Sequence, residues 1–151
     1  MNADLRYANL LGAQLQRADF RNTNMECTIL YRAQLVATDL RNANLVSADL
    51  RRANMRGVRI SGANLSTAKL AYADLGEVDL KDTILKDADL TDTVLNGADL
   101  SAAIDITQKQ IDRACIDDRT KLPDKLTRPS MRPGKCIDHA ERARILERLK
   151  K

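Results

Sequence analysis

Every fifth residue of this chain from Leu5 to Leu100 is large and apolar, twenty positions without a gap, sixteen of them Leu and the others Phe20, Met25, Met55 and Ile60. Two residues before each stands Ala, Thr or Val, from Ala3 and Ala8 through Thr93 to Ala98, and the residue between is usually Asp or Asn. The unit reads A(D/N)LXX. A repeat of this kind limits the fold more than any single motif does. On an α-helix five residues turn through about 500°, so successive leucines drift by about 140° and draw no stripe. On a flat strand five is odd, and successive leucines alternate faces. Within one unit, however, the Ala and the Leu are two apart and share a face of an extended segment. Both facts hold together if the chain turns a corner once per unit, so that each Ala–Leu pair points at the same axis. A chain that keeps turning one way closes into a coil, and coils stack into an all-β solenoid.

The composition fits such a core. Aromatic residues make up only 3% of the chain, with no Trp and one Phe. Most cores draw much of their buried area from rings. Here Leu and Ala, 21 and 20 residues, must supply it. Phe20 is the one ring expected inside, with Tyr7, Tyr31 and Tyr72 outside. The scarcity of rings also argues against a surface that stacks nucleic-acid bases.

The uninterrupted run of A(D/N)LXX units over residues 1–103 resembles the pentapeptide-repeat proteins. The resemblance implies a right-handed quadrilateral β-helix with four units per coil. The chain would then hold about five coils, a shaft on the order of 24 Å at a strand spacing of about 4.8 Å. Positions 20 apart should stack. Asn24, Asn44 and Asn64 then form an amide ladder. Asp19, Asp39, Asp79 and Asp99 share another face, with Arg59 between Asp39 and Asp79. Arg21, Arg41 and Lys81 lie two residues beyond an Asp, so this face reads as a solvated network of alternating charge that offsets its own repulsion.

The period stops after Leu100. This divides the chain into a repeat domain, 1–103, and a helical C-terminal cap and tail, 104–151. Thr107 and Gln110 match a helix capping box, with Ile111, Ala114 and Cys115 at helical spacing toward the last coil. The segment CIDDRTKLPDKLTRP at 115–129 resembles a tail often found after pentapeptide repeats, through Thr120, Leu122, Pro123, Leu126 and Pro129, and implies no activity. Pro129 and Pro133 mark an extended connector. Asp138 and Glu141 signal a second helix from about His139 to Leu149. The N-terminal coil has no comparable cap, and self-association through that end is expected.

The three cysteines, Cys27, Cys115 and Cys136, match no metal-binding spacing. Cys115 and Cys136 flank the connector, and a disulfide between them would add about 3 kcal/mol in the chain-entropy model. The alternative is three reduced thiols in a cytoplasm. Cys27 is expected at a corner, unpaired.

The net charge of +4 conceals a gradient. Residues 1–59 are net +4 and residues 60–105 net −6, while the chain from Ile106 onward is net +6. Arg32, Arg51, Arg52 and Arg56 fall near one corner of the second and third coils, a candidate interaction patch. Leu11, Ile29 and Tyr31 fall at outward positions near the N-terminal end, a candidate apolar contact.

No catalytic, cofactor-binding or metal-binding residue stands out. His139 has no evident nucleophile beside it, Asp87 and Asp89 are solvent positions of the repeat, and no glycine-rich phosphate loop occurs. The expected class is a noncatalytic structural or protein-interaction module that takes no cofactor, with another protein as partner. The resemblance supplies one alternative, a DNA mimic acting on a type II topoisomerase such as gyrase. The basic tail supplies another, nucleic-acid binding through residues 139–151. No apolar run is long enough to span a membrane. The N-terminus lacks signal-peptide features, so the expected compartment is cytoplasmic. Resemblance to exported cyanobacterial members gives periplasm or thylakoid lumen as the alternative if a leader has been removed.

Overall fold

A computed structural model describes residues 3–129 together with Glu147 and Arg148. The backbone pairs with itself in parallel at a register of 20 residues: Asp4 with Asn24, Asn24 with Asn44, Asn44 with Asn64. Three further ladders begin at Asn9, Gln14 and Asp19. Four ladders per turn make a four-sided shaft. We number its faces I to IV by their lowest central residues, Leu5, Leu10, Leu15 and Phe20, and the positions of each unit one to five.

Each corner from Leu5 to Ala98 is a type II turn. The N–H at position one of the next unit closes it on the central carbonyl, as from Ala8 to Leu5 O at 3.0 Å. The residue at position five takes a positive φ: 59° at Tyr7, 56° at Cys27, 59° at Arg52 and 51° at Asp92. That sign at the third turn residue alone defines type II. Glycine suits it without strain. At Gly62 the reason is doubled, because a Cβ there would press on the Asn42 side chain.

The other backbone donors explain the rest of the unit. Position two donates to the coil below (Asn24 N to Ala3 O, 3.0 Å). Positions three and five donate to the coil above (Leu5 N to Asn24 O, 2.7 Å; Tyr7 N to Glu26 O, 3.0 Å). Position four points outward with no backbone acceptor. The side chain at position two takes that N–H, from Arg6 to Asp4 Oδ1 at 3.1 Å, Lys81 to Asp79 Oδ1 at 2.9 Å and Ser101 to Asp99 Oδ1 at 3.1 Å. Asp and Asn recur at position two because a short side-chain oxygen satisfies this donor.

The interior holds the central residue and the small residue at position one. The central residues from Met25 to Leu100 are buried, with Ala33, Ala53, Ala73 and their counterparts between them. Leu5, Leu10, Leu15 and Phe20 are only half-buried, since no coil lies below them among the described residues. Where Thr replaces Ala, its hydroxyl donates to a central carbonyl one coil down, from Thr28 to Leu5 O at 2.9 Å and from Thr93 to Leu70 O at 2.8 Å. The ladder on face IV skips one rung, between Arg59 and Asp79, where the β-branched Val58, Ile60 and Val78 come together.

Above the fifth coil the register continues with insertions. Ile104 pairs with Ile84, Cys115 with Val94 and Lys121 with Asp99. Between Ile104 and Cys115, α1 (Gln108–Ile111) takes the place of a face. Its capping box joins Thr107 and Gln110 as the spacing predicts. Gln110 Nε2 also donates to the carbonyls of Leu85 at 2.7 Å and Ala88 at 3.0 Å. The helix is shorter than its apolar spacing suggests. Ile111 is fully buried, but Cys115 leaves the helix to exchange hydrogen bonds with Thr93 O and Leu95 N, both at 2.8 Å. Open ladder groups of the last coil compete with another helical turn and win, because buried backbone groups left unpaired are costly. Thr120 then repeats the interior threonine bond, donating to Leu95 O at 3.0 Å. Among the described residues no helix is long and apolar enough to cross a membrane. The expected helix over 139–149, apart from the helical Glu147 and Arg148, lies outside the described residues, as do Cys136 and His139.

Replacing the fully buried Leu65 with Ala is expected to cost about 2–5 kcal/mol of stability in urea unfolding. Leu11→Ala, at an exposed position, should change it by less than about 0.5 kcal/mol.

Candidate interaction surface

Face II carries the candidate contacts. Its position-two column runs Asn9, Ile29, Asp49, Lys69, in parallel register. Leu11, Tyr31 and Arg51 stack at position four, and Arg32, Arg52 and Tyr72 at position five. Apart from Arg56, the two patches suggested by the sequence are therefore one surface. Leu11 is 60% exposed and Ile29 39%. Tyr31 points outward but is half-buried, because Arg32 and Arg51 lie over its ring at 5.3 and 5.4 Å from the centroid. Arg52 lies over Tyr72 at 5.1 Å. Tyr7, 71% exposed, stands at the preceding corner above which Cys27 sits, free and half-buried.

The arginines differ in how they are engaged. Arg51 binds Asp49 through both carboxylate oxygens, at 2.8 and 2.6 Å. Arg56 lies one face further on and reaches Asp74, at 3.5 Å. Gly76 leaves the space that Arg56 occupies beside that buried carboxylate. Arg32 and Arg52 make no ion pair among the described residues and are exposed. Ile29 is the other departure. It holds a position whose usual Asp or Asn accepts the following N–H, so the Tyr31 N–H has no such acceptor. Ile84 and Val94 hold the same position in later units and lack the acceptor too, but Ile84 is half-buried and Val94 buried, so among these three Ile29 is the exposed apolar side chain.

Face IV carries part of the charge network that the sequence suggests, since among the described residues neither Lys81 nor Arg59 forms an ion pair with Asp79. Arg21 binds Asp19 at 2.6 Å, Arg41 binds Asp39 at 2.7 Å, and Arg59 reaches down to Asp39 at 3.1 Å. Arg59 pairs on one side only, at the rung where the ladder is interrupted. Lys121 of the cap binds Asp99 at 2.9 Å. The Arg21 hydrogen bonds hold the Asp19 carboxyl down to about 2, and Ser101 and Lys121 do the same for Asp99. Asp39 is lowered by its bond to Arg41 against the opposing effect of burial. On face I the amide ladder forms from Asn44 to Asn24, at 3.1 Å, while the Asn64 Oδ1 serves Ser66.

Little in the described residues suits catalysis. A cleft of about 330 Å³ lies between α1 and the fifth coil, lined by Asp87, Asp89, Lys109 and Gln110. Gln110 is committed to the cap, and Asp89 accepts from Thr91 at 2.6 Å. Among the described residues no cluster of three or more His, Cys, Asp or Glu is placed to hold a metal ion.

The sequence matches the family described as Pentapeptide repeats in eight copies, over residues 1–35, 33–71 and 73–104. No curated protein matches it. Among solved structures, Rfr23, a pentapeptide-repeat protein of the cyanobacterium Cyanothece 51142, aligns at a TM-score of 0.66 and 22% identity, over 79% of this chain and 90% of that one. HetL, a pentapeptide-repeat protein of Nostoc sp. strain PCC 7120 involved in heterocyst differentiation regulation, aligns at 0.52 and 26%, over 82% and 70%. A form of QnrB1, a plasmid-mediated fluoroquinolone resistance protein, aligns at 0.49 and 18%, over 99% and 84%. Rfr23 and HetL are right-handed β-helices, and the likeness to these two establishes that architecture here.

The acid limb of stability follows from face IV. A carboxylate whose pKa is lowered by folding contributes stability above its unfolded value of about 3.9 and loses it as pH falls through the folded value. With Asp19 and Asp99 at about 2, the melting temperature should fall between about pH 4 and pH 2. Asp39→Asn should shallow that fall, as measured by circular dichroism melts across the range.

Proposed function

Since the chain belongs to the pentapeptide-repeat family, we propose that it is a noncatalytic protein-interaction module whose docking surface is the lower half of face II. The observation that carries the reading is Ile29. Unlike Ile84 and Val94, the other apolar residues at position two, it is exposed, and it adds apolar surface beside Leu11 and two arginines that make no ion pair among the described residues. Exposed apolar residues gathered beside unengaged charge mark interaction surfaces. HetL adds that a protein of this fold can serve in regulation. The other readings find less support. A duplex-DNA mimic calls for a uniformly negative shaft, and residues 1–59 are net +4. Binding of nucleic acid through the basic tail would rest on residues outside the described part.

In this reading the shaft has five coils, closed at its C-terminal end by the cap, and self-association would use the open lower coil. Cys115 is disulfide-bonded and Cys27 free, which supports a Cys115–Cys136 bond tying the tail to the cap. An oxidised Cys115 favours periplasm or lumen over cytoplasm. Intact-mass measurement should show the gain of two hydrogens on reduction in wild type and none in Cys136→Ser.

Immobilised protein should retain a partner from a lysate of the source cells that the Leu11→Ser/Ile29→Ser variant does not retain, with melting temperature unchanged. Identical retention by both proteins would place the docking surface elsewhere.

A further inference from the structure

Resting on that docking reading, we propose that face II takes an acidic amphipathic helix of a partner protein, laid along the shaft axis. Its apolar residues would rest on Leu11 and Ile29, and its carboxylates would be held by Arg32 and Arg52. The first argument is the state of the two arginines. Each guanidinium has one side against a tyrosine ring, Arg32 on Tyr31 at 5.3 Å and Arg52 on Tyr72 at 5.1 Å. Both residues are exposed and neither guanidinium is paired with a carboxylate among the described residues, so the N–H groups remain available to bind a carboxylate with two parallel hydrogen bonds. Other arginines of the shaft spend those groups on an aspartate of their own unit, as Arg6, Arg21, Arg41 and Arg51 do. Arg32 and Arg52 follow Tyr31 and Arg51 at position five, where no carboxylate of their own unit reaches them.

Spacing is the second argument. Arg32 and Arg52 are equivalent residues of adjacent coils, so about 4.8 Å separates their backbones along the axis. Residues three or four apart on a helix surface are about 5–6 Å apart between Cβ atoms. Carboxylates at that interval can meet both guanidinium groups, and the next residue along the same helix face meets the coil below. Leu11 occupies that level, with Ile29 beside it on the face. The site therefore reads carboxylate, carboxylate, apolar down the shaft, the pattern of a helix that docks by one amphipathic face.

Charge separates this occupant from nucleic acid. Arg32 and Arg52, with Lys69 above them, followed upward by Asp89 and Asp92, make a short cationic spot that turns acidic, where a phosphate backbone asks for an extended basic track. The exposed Leu11 and Ile29 give a polyanion nothing to pair with.

The test uses the full-length protein and three fluorescent probes: a helical peptide with two Glu and a Leu at successive i, i+4 positions, a scrambled peptide of the same composition, and a short DNA duplex. Anisotropy should show the designed peptide bound at least tenfold more tightly than the scrambled one, and weakening with salt. Arg32→Glu/Arg52→Glu should abolish that preference, and Arg32→Gln/Arg52→Gln should reduce it. Glutamate is compatible with the backbone there, since Glu77 holds the same position at φ 62°. Equal binding of the two peptides, a preference that survives the Glu double variant, or tighter binding of the duplex would each overturn the proposal. The lysate partner separates the two readings. Retention lost in Leu11→Ser/Ile29→Ser but kept in Arg32→Glu/Arg52→Glu removes the acidic helix and leaves the docking surface. Retention unaffected by either variant removes both.

Discussion

The shaft depends on one arrangement: a corner every five residues that leaves one backbone N–H of each unit facing outward. The four other donors of the unit are taken by the turn and by neighbouring coils. The outward donor at position four must find a partner in its own unit or in water. Aspartate or asparagine at position two supplies it, and in doing so fixes the side chain over the face. Much of the surface chemistry follows. The same aspartates that accept an N–H also accept an arginine two residues on, so the corner that builds the backbone also builds the ion pairs of face IV. That coupling explains why a column of stacked carboxylates is tolerated at all.

Against this background the informative residues are those that do not serve the corner. Ile29 accepts nothing from Tyr31. Arg32 and Arg52 sit at position five, where no carboxylate of their own unit reaches them, and they stack on tyrosines instead. Leu11 adds apolar area that is 60% exposed, where Val36 and Val46 at the same position are half-buried. Each departure is minor by itself. The 20-residue register brings them onto one stretch of one face, in the lower half of the described shaft.

The C-terminal end shows the same constraint under a different sequence. After Leu100 the five-residue spacing is lost, yet Ile104, Cys115 and Lys121 still pair with the last coil. A four-residue helix fills the remaining side, and Gln110 bonds the carbonyls it covers. Thr120 repeats the threonine bond of the interior. The unpaired edge of the fifth coil acts as a template, and the cap residues adapt their local structure to it.

From the sequence alone came the solenoid, the five-residue corner, the buried Leu and Ala, the capping box at Thr107 and the aspartate–arginine pairing of face IV. These are properties of period and of neighbours within one unit, and local spacing states them directly. Tertiary structure decided the rest. It joined Leu11, Ile29 and Tyr31 to Arg32, Arg51 and Arg52 in a single surface, and it moved Arg56 to another face beside Asp74. It also took Cys115 out of the helix and turned Arg59 toward Asp39 alone. Each of these depends on which residue lies above or below, 18 to 22 positions away in the chain, and on how a long side chain chooses between neighbouring coils. A five-residue rule fixes the address of every side chain on the shaft, but the choice among its neighbours is made only once the coils are stacked.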